Sequence, residues 1–140
     1  MIMKKVLTVS VLMLFMWSCG PSEQDVAIDK VYADLMEGHD VVMPKSMVLP
    51  KMKTKVLAMV TDLPETDSLK TVALDLSHDL TQANEDMYTW MDEFAVAMND
   101  VEDKTEKLKL YTSLNEDIDA IGEATNAVMA KAKKFLGEDE

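Results

Sequence analysis

Apolar side chains recur every three or four residues along most of the chain, a spacing that places them on one face of an α-helix. The most regular run steps alternately by four and three residues through Leu76, Leu80, Ala83, Met87, Trp90, Phe94 and Ala97. The last third of the chain repeats this rhythm at Tyr111, Leu114, Ile118, Ile121, Thr125, Val128, Ala132 and Phe135. Both runs predict long helices that pack against other helices, with no alternating strand pattern.

The first third of the chain has the same rhythm but is less regular. Its face carries Ile28, Tyr32, Leu35, His39, Val42, Leu49, Val56 and Val60, with Ser46 and Lys53 as polar interruptions. Pro44 and Pro50 lie inside this segment. Each proline removes a backbone hydrogen bond, so we expect the first helix to kink or break near them.

Two short polar stretches separate the three helical segments. In residues 61–66 we expect a helix to start at Asp62 or Thr66, which are cap-forming residues. In the second stretch, Asn99 is expected to end one helix, and Asn99 or Asp100 to cap the next. The pattern therefore predicts an all-α fold: an antiparallel up-down-up three-helix bundle, coiled-coil-like, over residues 26–136.

The start of the chain has the pattern of a bacterial lipoprotein signal peptide. Two lysines precede an apolar run at 6–17, which is too short to cross a bilayer as a helix. The sequence MWSC that follows resembles a lipoprotein processing site, with Met16 in the aliphatic position and Ser18 before Cys19. This resemblance implies that residues 1–18 are removed and that Cys19 is lipidated. A free thiol at Cys19, the alternative, would have no partner in the chain.

Several acyl chains hold a protein firmly on a membrane, since each buried methylene contributes about 0.8 kcal/mol. We therefore expect a lipid-anchored protein of the cell envelope, with residues 19–25 as a lipidated tether and residues 137–140 as an acidic tail. Gly20 follows the cysteine. By the sorting rule known for enteric bacteria, this favours the outer membrane, with the body facing the periplasm or the exterior.

The formal net charge is −12, from 26 acidic and 14 basic residues. So acidic a chain repels phosphate backbones and anionic headgroups, which argues against nucleic-acid binding and leaves the acyl chains as the membrane contact. No serine, histidine and acid arrangement is suggested, and the one cysteine is predicted to be lipidated. We therefore expect no catalytic residues and no enzymatic activity.

The sequence HDVVMPKSM, at 39–47, raises the question of a soft-metal site. If the first two helices fold back about residue 63 or 64, His39 lies opposite residue 88. The layer predicted there, called the Met/His layer, consists of Met36, His39, Met43, Met87, Trp90 and Met91. Thioethers and a neutral imidazole suit Cu(I), and the indole of Trp90 can cover the ion.

Packing is the favoured interpretation of the same residues. Methionine is flexible, fills gaps beside a proline kink and packs well on aromatic rings. A histidine on an apolar stripe is more often a satisfied core or boundary residue than a ligand, and protonation of His39 coupled to a partner is a third possibility. His78 falls between seam positions and is expected to point outward. We therefore expect no cofactor, with Cu(I) as the alternative.

Two stretches, GHDVVMPKSM and MYTWMDEF, behind a lipoprotein signal, resemble a group of small helical lipoproteins from Bacteroidetes. Some members carry the label "viral A-type inclusion protein", which reflects coiled-coil similarity. The resemblance brings no established activity, and Pro50 departs from the group's pattern. It implies that a set of residues matters together: His39, Met43, Pro44, Trp90, Met91 and Phe94.

The sequence thus predicts a membrane-anchored lipoprotein with a non-catalytic interaction or envelope-structural role, through a protein partner or self-association. The alternative is a Cu(I)-binding or chaperone protein that uses the Met/His layer.

Overall fold

The computed structural model describes residues 20–138, so the predicted signal peptide and Cys19 lie outside the described residues. This part of the chain is helical and contains no strand, as predicted. Its four helices are α1 (Glu23–Ser46), α2 (Leu49–Ala58), α3 (Ser68–Asn99) and α4 (Lys104–Leu136). The first two follow each other along one arm, which packs with α3 and α4.

Hydrogen bonds between helices show how the arms run. Gln24 donates to Thr105, and Lys45 donates to Asn126, in both cases across 81 residues, so α1 and α4 run in the same direction. The Nζ atom of Lys53 on α2 donates to Thr81 on α3. Ser46, which lies earlier in the first arm, accepts from Asn84, which lies later in α3. The first arm and α3 therefore run in opposite directions.

The start of α1 lies earlier than predicted. Ser22 forms a capping box with Asp25, in which each side chain bonds to the other residue's backbone N–H. This satisfies two of the backbone donors at the start of a helix, so α1 begins at Glu23 and not at Val26. Part of the stretch predicted as a tether, 19–25, is therefore the first turn of the bundle.

The two later helices also begin at aspartate caps. α3 begins at Ser68 after Asp67, and α4 begins at Lys104 after Asp103, whereas the predicted caps lie earlier in each connection and were wrong. Both connections contain several cap-forming side chains, and the sequence does not show which one turns towards the backbone. The predicted end of α3 at Asn99 is confirmed.

The first arm breaks between its two prolines, as predicted, because α1 ends at Ser46 and α2 begins at Leu49. Pro50 has no N–H, so the Ser46 carbonyl, four residues earlier, lacks its usual helical partner. The amide of Asn84 takes this place: its Nδ2 lies 3.0 Å from the Ser46 carbonyl oxygen and 2.9 Å from the Ser46 Oγ. Ser46 is therefore fully buried although it is polar.

Two clusters of buried apolar side chains fill the bundle, and most of the predicted seam positions belong to them. One cluster lies between α1, α3 and α4 and contains Leu35, Val42, Met87, Trp90, Ala97, Tyr111, Leu114 and Ile118. The other surrounds α2 and contains Leu49, Met52, Val56, Val60, Ala73, Leu76, Leu80, Ala83, Val128 and Ala132.

Two glycines allow α1 to lie close to α4. A methyl group at Gly38 would come 2.8 Å from the Cγ2 atom of Ile118, and one at Gly122 would come 3.0 Å from Val42. Contacts between α1 and α4 are accordingly much denser than those between α1 and α3. The wider space between α1 and α3 is left for long and aromatic side chains.

Candidate functional site: the Met/His layer

His39 lies on α1 at the edge of this space, with its side chain 25% exposed. Its ring stacks on the indole of Trp90, with ring centroids 6.2 Å apart and planes 25° from parallel. The stack places His39 opposite residue 90 of α3, within one turn of the predicted level. The predicted proximity of His39 and Trp90 is therefore seen in the structure.

The carboxylate of Asp40, which is largely exposed, lies beside one nitrogen of the His39 ring. Nδ1 of His39 lies 3.0 Å from Oδ1 of Asp40. In the tautomer that donates this hydrogen bond, Nε2 carries the free lone pair and can accept a proton or bind a metal. A carboxylate on the other ring nitrogen is a common arrangement in metal-binding histidines, because it sets the tautomer and makes the ligand more basic.

Three of the four predicted methionines lie with Trp90 in the same apolar cluster. Met87 is fully buried, while Met43 and Met91 are partly buried and pack against that cluster. Met36 is also partly buried, but among the described residues it lies outside the cluster. The structure thus associates Met43, Met87 and Met91 with the cluster that contains Trp90 and leaves Met36 outside it.

A ladder of aromatic rings continues from Trp90 towards the start of α1. Phe94 stacks on Trp90 with centroids 5.4 Å apart, and Tyr32 and Tyr111 lie 5.9 and 5.8 Å from Phe94. The Nε1 atom of Trp90 donates to the carbonyl of Leu114 on α4 at 2.8 Å. Trp90 is therefore held by α4 on one side and covered by His39 of α1 on the other.

The part played by Tyr32 was missed by sequence reasoning, although the seam pattern includes this residue. Its ring lies 6.2 Å from that of Tyr111, across the interface between α1 and α4. Burial of Tyr111, followed by the nearby Tyr32 hydroxyl, raises the pKa of the Tyr111 hydroxyl above its ordinary value. The Tyr111 hydroxyl is thus kept neutral at physiological pH.

An ion pair fixes the start of α1 to the start of α4 beside this ladder. Nζ of Lys104 lies 2.7 Å from Oδ1 of Asp25. The hydrogen bond from Lys104 and, after it, those from Ser22 lower the pKa of Asp25 from 3.8 to about 2. The carboxylate therefore stays ionised at any physiological pH, as the capping box requires.

The donors of the Met/His layer are thioethers and one imidazole. Within residues 20–138, no group of three or more His, Cys, Asp or Glu side chains is placed to hold a metal ion. A metal in this layer would therefore bind mainly to sulfur, a donor set that suits Cu(I) better than Zn²⁺ or Mg²⁺. His78 is exposed on α3, as predicted, and adds no ligand to the layer.

The fold and this layer define a class of protein: a small all-helical bundle whose core combines methionines with a stack of aromatic rings. Comparisons with protein-family models, with curated proteins and with solved structures found no match to this chain. In the part of the chain that the structure describes, none of the helices has the length and apolarity needed to cross a membrane.

Proposed function

We propose that this chain is a lipid-anchored lipoprotein of the bacterial cell envelope, held at the outer membrane by acyl chains on Cys19. Its body is a coiled-coil-like, up-down-up three-helix bundle that has a non-catalytic interaction or envelope-structural role. The observation that carries this proposal is the apolar run at 6–17 followed by Ser18 and Cys19. The acidic body makes no contribution to membrane attachment, since its net charge repels anionic headgroups.

The position of the first cap is consistent with a short anchor. α1 begins at Glu23, so only residues 20–22 separate it from Cys19, a span of about 10 Å when extended. The contacts of Gln24 with Thr105 and of Asp25 with Lys104 place the start of α4 at this same end of the bundle. A lipidated chain would therefore stand with this end, the proximal end, near the membrane and with its distal end about 50 Å away.

Lipidation is tested by expressing the full chain in a bacterium fed an alkyne-bearing fatty acid. We expect label on the wild-type chain and partition into the detergent phase. Cys19→Ala should lose both properties, while His39→Ala, outside the signal, should keep them. Label that persists in Cys19→Ala, or a wild-type chain without label, would rule out the proposed anchor.

Cu(I) binding is a second candidate function, favoured by the geometry of His39. Asp40 engages Nδ1 of the ring, and Nε2 makes no hydrogen bond among the described residues. Met43 and Met91 pack against the cluster that contains Trp90, on which the His39 ring is stacked. The proposal is supported by the imidazole stacked on Trp90, an indole that can shield a cation, and by the thioethers that pack in the cluster containing this indole.

This second candidate is tested by a Cu(I) competition titration on residues 20–140. We expect a copper protein to bind one ion tightly and to lose that affinity in both His39→Ala and Met43→Ala. Met59→Ala is the matched control, because Met59 is 53% exposed and lies outside the layer. Wild-type affinity no higher than that of the two layer variants would assign the methionines to packing alone.

A further inference from the structure

α3 and α4 form a shallow apolar groove on the outside of the bundle, near its distal end. Leu69 and Val72 on α3 are 46% and 52% exposed, and Leu76 and Phe135 lie beside them in the groove. Leu69, Val72 and Leu76 are spaced by three and four residues, so they form one continuous stripe. An exposed apolar stripe of this kind is typical of a contact surface.

We call this groove between α3 and α4 the distal groove, and charges of opposite sign flank it. Asp75 and Asp79 lie on the α3 edge, and Lys131 and Lys134 lie on the α4 edge. Asp79 and Lys131 are 3.5 Å apart, with side chains 48% and 66% exposed, so both remain available to other groups. The four charges cancel, whereas the whole chain carries −12. A second copy can therefore approach this patch without the repulsion that the acidic parts of the surface impose.

The same interhelical groove is acidic on both sides nearer the proximal end. Asp86, Asp92 and Glu93 line it on α3, and Asp117 lines it on α4. Two copies brought together there would place carboxylates against carboxylates. Charge thus favours the distal groove over the proximal part of the same groove for contact between copies.

We propose that the distal groove binds a second copy of this chain in a parallel twofold dimer. A twofold axis along the bundle sets α3 of one copy against α4 of the other at the same height. Asp79 then faces Lys131 of the second copy and, one turn further on, Asp75 faces Lys134. An axis across the bundle would instead set the two aspartate edges against each other, so charge selects the parallel arrangement.

The parallel arrangement points both chain starts in the same direction. Two lipidated copies would therefore reach the same membrane, which agrees with the proposed anchor, although the dimer does not depend on it. A patch three helical turns long and two helices wide measures about 16 by 20 Å, or about 300 Å² per copy. This is less than half of a standard interface, so the dimer is weak in solution and is strengthened when anchoring concentrates the chains.

The test uses two charge-reversed variants of residues 20–140. One carries Asp75→Lys and Asp79→Lys, and the other carries Lys131→Glu and Lys134→Glu. In a homodimer of either variant, all four charge contacts become repulsive. We expect self-association, measured by sedimentation equilibrium up to about 1 mM because small interfaces are weak, to fall at least about tenfold, or about 1.4 kcal/mol.

Mixing the two variants is the decisive measurement. In the mixed dimer each lysine edge meets a glutamate or aspartate edge, so we expect association to return to within about threefold of the wild type. Mixing cannot repair a folding defect inside either chain, so recovery reports on contacts between copies. Circular-dichroism melting of each variant checks separately that the bundle is intact.

Glu85→Lys with Asp119→Lys provides the matched control. Both residues are exposed and lie outside the distal groove, and the change in net charge equals that of the first variant. This control should associate at least as strongly as the wild type. A wild-type chain that stays monomeric throughout, or a mixture as weak as its components, would overturn the proposed dimer and leave the lipid anchor untouched.

Discussion

Replacing Asn84 with alanine removes both hydrogen bonds from its Nδ2 atom to Ser46, at 3.0 and 2.9 Å. Ser46 is 0% exposed, so in the folded bundle its carbonyl oxygen and hydroxyl are shielded from solvent and bond to this amide. A buried polar group left without its partner costs about 1–3 kcal/mol. We therefore expect Asn84→Ala to lower the free energy of unfolding by about 2 kcal/mol, and the melting temperature by about 8 °C for a domain of this size.

Pro50 provides a second test of this prediction, because the Ser46 carbonyl accepts from Asn84 in place of the backbone N–H that Pro50 lacks. The backbone at Met47 and Val48 stays in the right-handed helical region, with φ values of −61° and −91°. Pro50→Ala therefore supplies an N–H that can reach the carbonyl four residues earlier with a small adjustment. In that background Asn84→Ala should cost about 1 kcal/mol less, the net value of one hydrogen bond.

The assay is urea unfolding of the wild type, the two single variants and the double variant, followed by the helical circular-dichroism signal. Gln82→Ala is the control, since Gln82 is an exposed amide on the same helix that donates to the Asp86 carboxylate. It should change stability by less than about 0.5 kcal/mol. An equal cost of Asn84→Ala with and without Pro50 would refute the reasoning that links the proline to the amide.

Three further predictions concern the helix contacts. Gly38→Ala places a methyl group 2.8 Å from Ile118 Cγ2, so the free energy of unfolding measured by denaturation should fall by about 1–2 kcal/mol. Measured in an Ile118→Ala background, the cost of Gly38→Ala should disappear. Thr125 Oγ1 is buried without a hydrogen-bond partner among the described residues, so Thr125→Val should raise stability by about 1 kcal/mol in the same assay, and a lower melting temperature would contradict this. Because the pKa of Asp25 is lowered from 3.8 to about 2, its stabilising effect is complete above pH 3.8 and is lost as the pH falls towards 2; Lys104→Met should shift an NMR titration of this carboxyl upward, and an unchanged midpoint would exclude Lys104 as the main cause.

Helix faces could be predicted from the sequence because their signal repeats over many residues. The seam that includes Leu80, Met87 and Trp90 is buried as predicted, and so is the one that includes Tyr111 and Ile118. A single misplaced residue does not disturb a pattern of this length. The starts of α3 and α4 depend instead on one side chain each, which explains why Asp67 and Asp103 were not selected among their neighbours.

Contacts between helices could not be predicted in the same way, because they depend on three-dimensional register. Ser46 and Asn84 are 38 residues apart, and each by itself is an ordinary polar residue on a helix. The close approach at Gly38 and Gly122 likewise needs both glycines at one level of the bundle. Within the Met/His layer, the height of His39 opposite Trp90 could be predicted by folding the first arm back on α3. The position of Met36 outside the cluster could not, because it depends on the rotation of α1 about its own axis.

The composition of the Met/His layer follows in large part from those two glycines. They bring α1 against α4, which leaves a wider gap on the α3 side. Trp90 and the methionines fill it, and packing alone accounts for their presence and for the ring of His39 on the indole. Packing does not require the carboxylate of Asp40 on Nδ1 of His39. The case for copper therefore rests on the orientation of this one imidazole and on the thioethers in the cluster that contains Trp90, and not on the number of methionines in the chain.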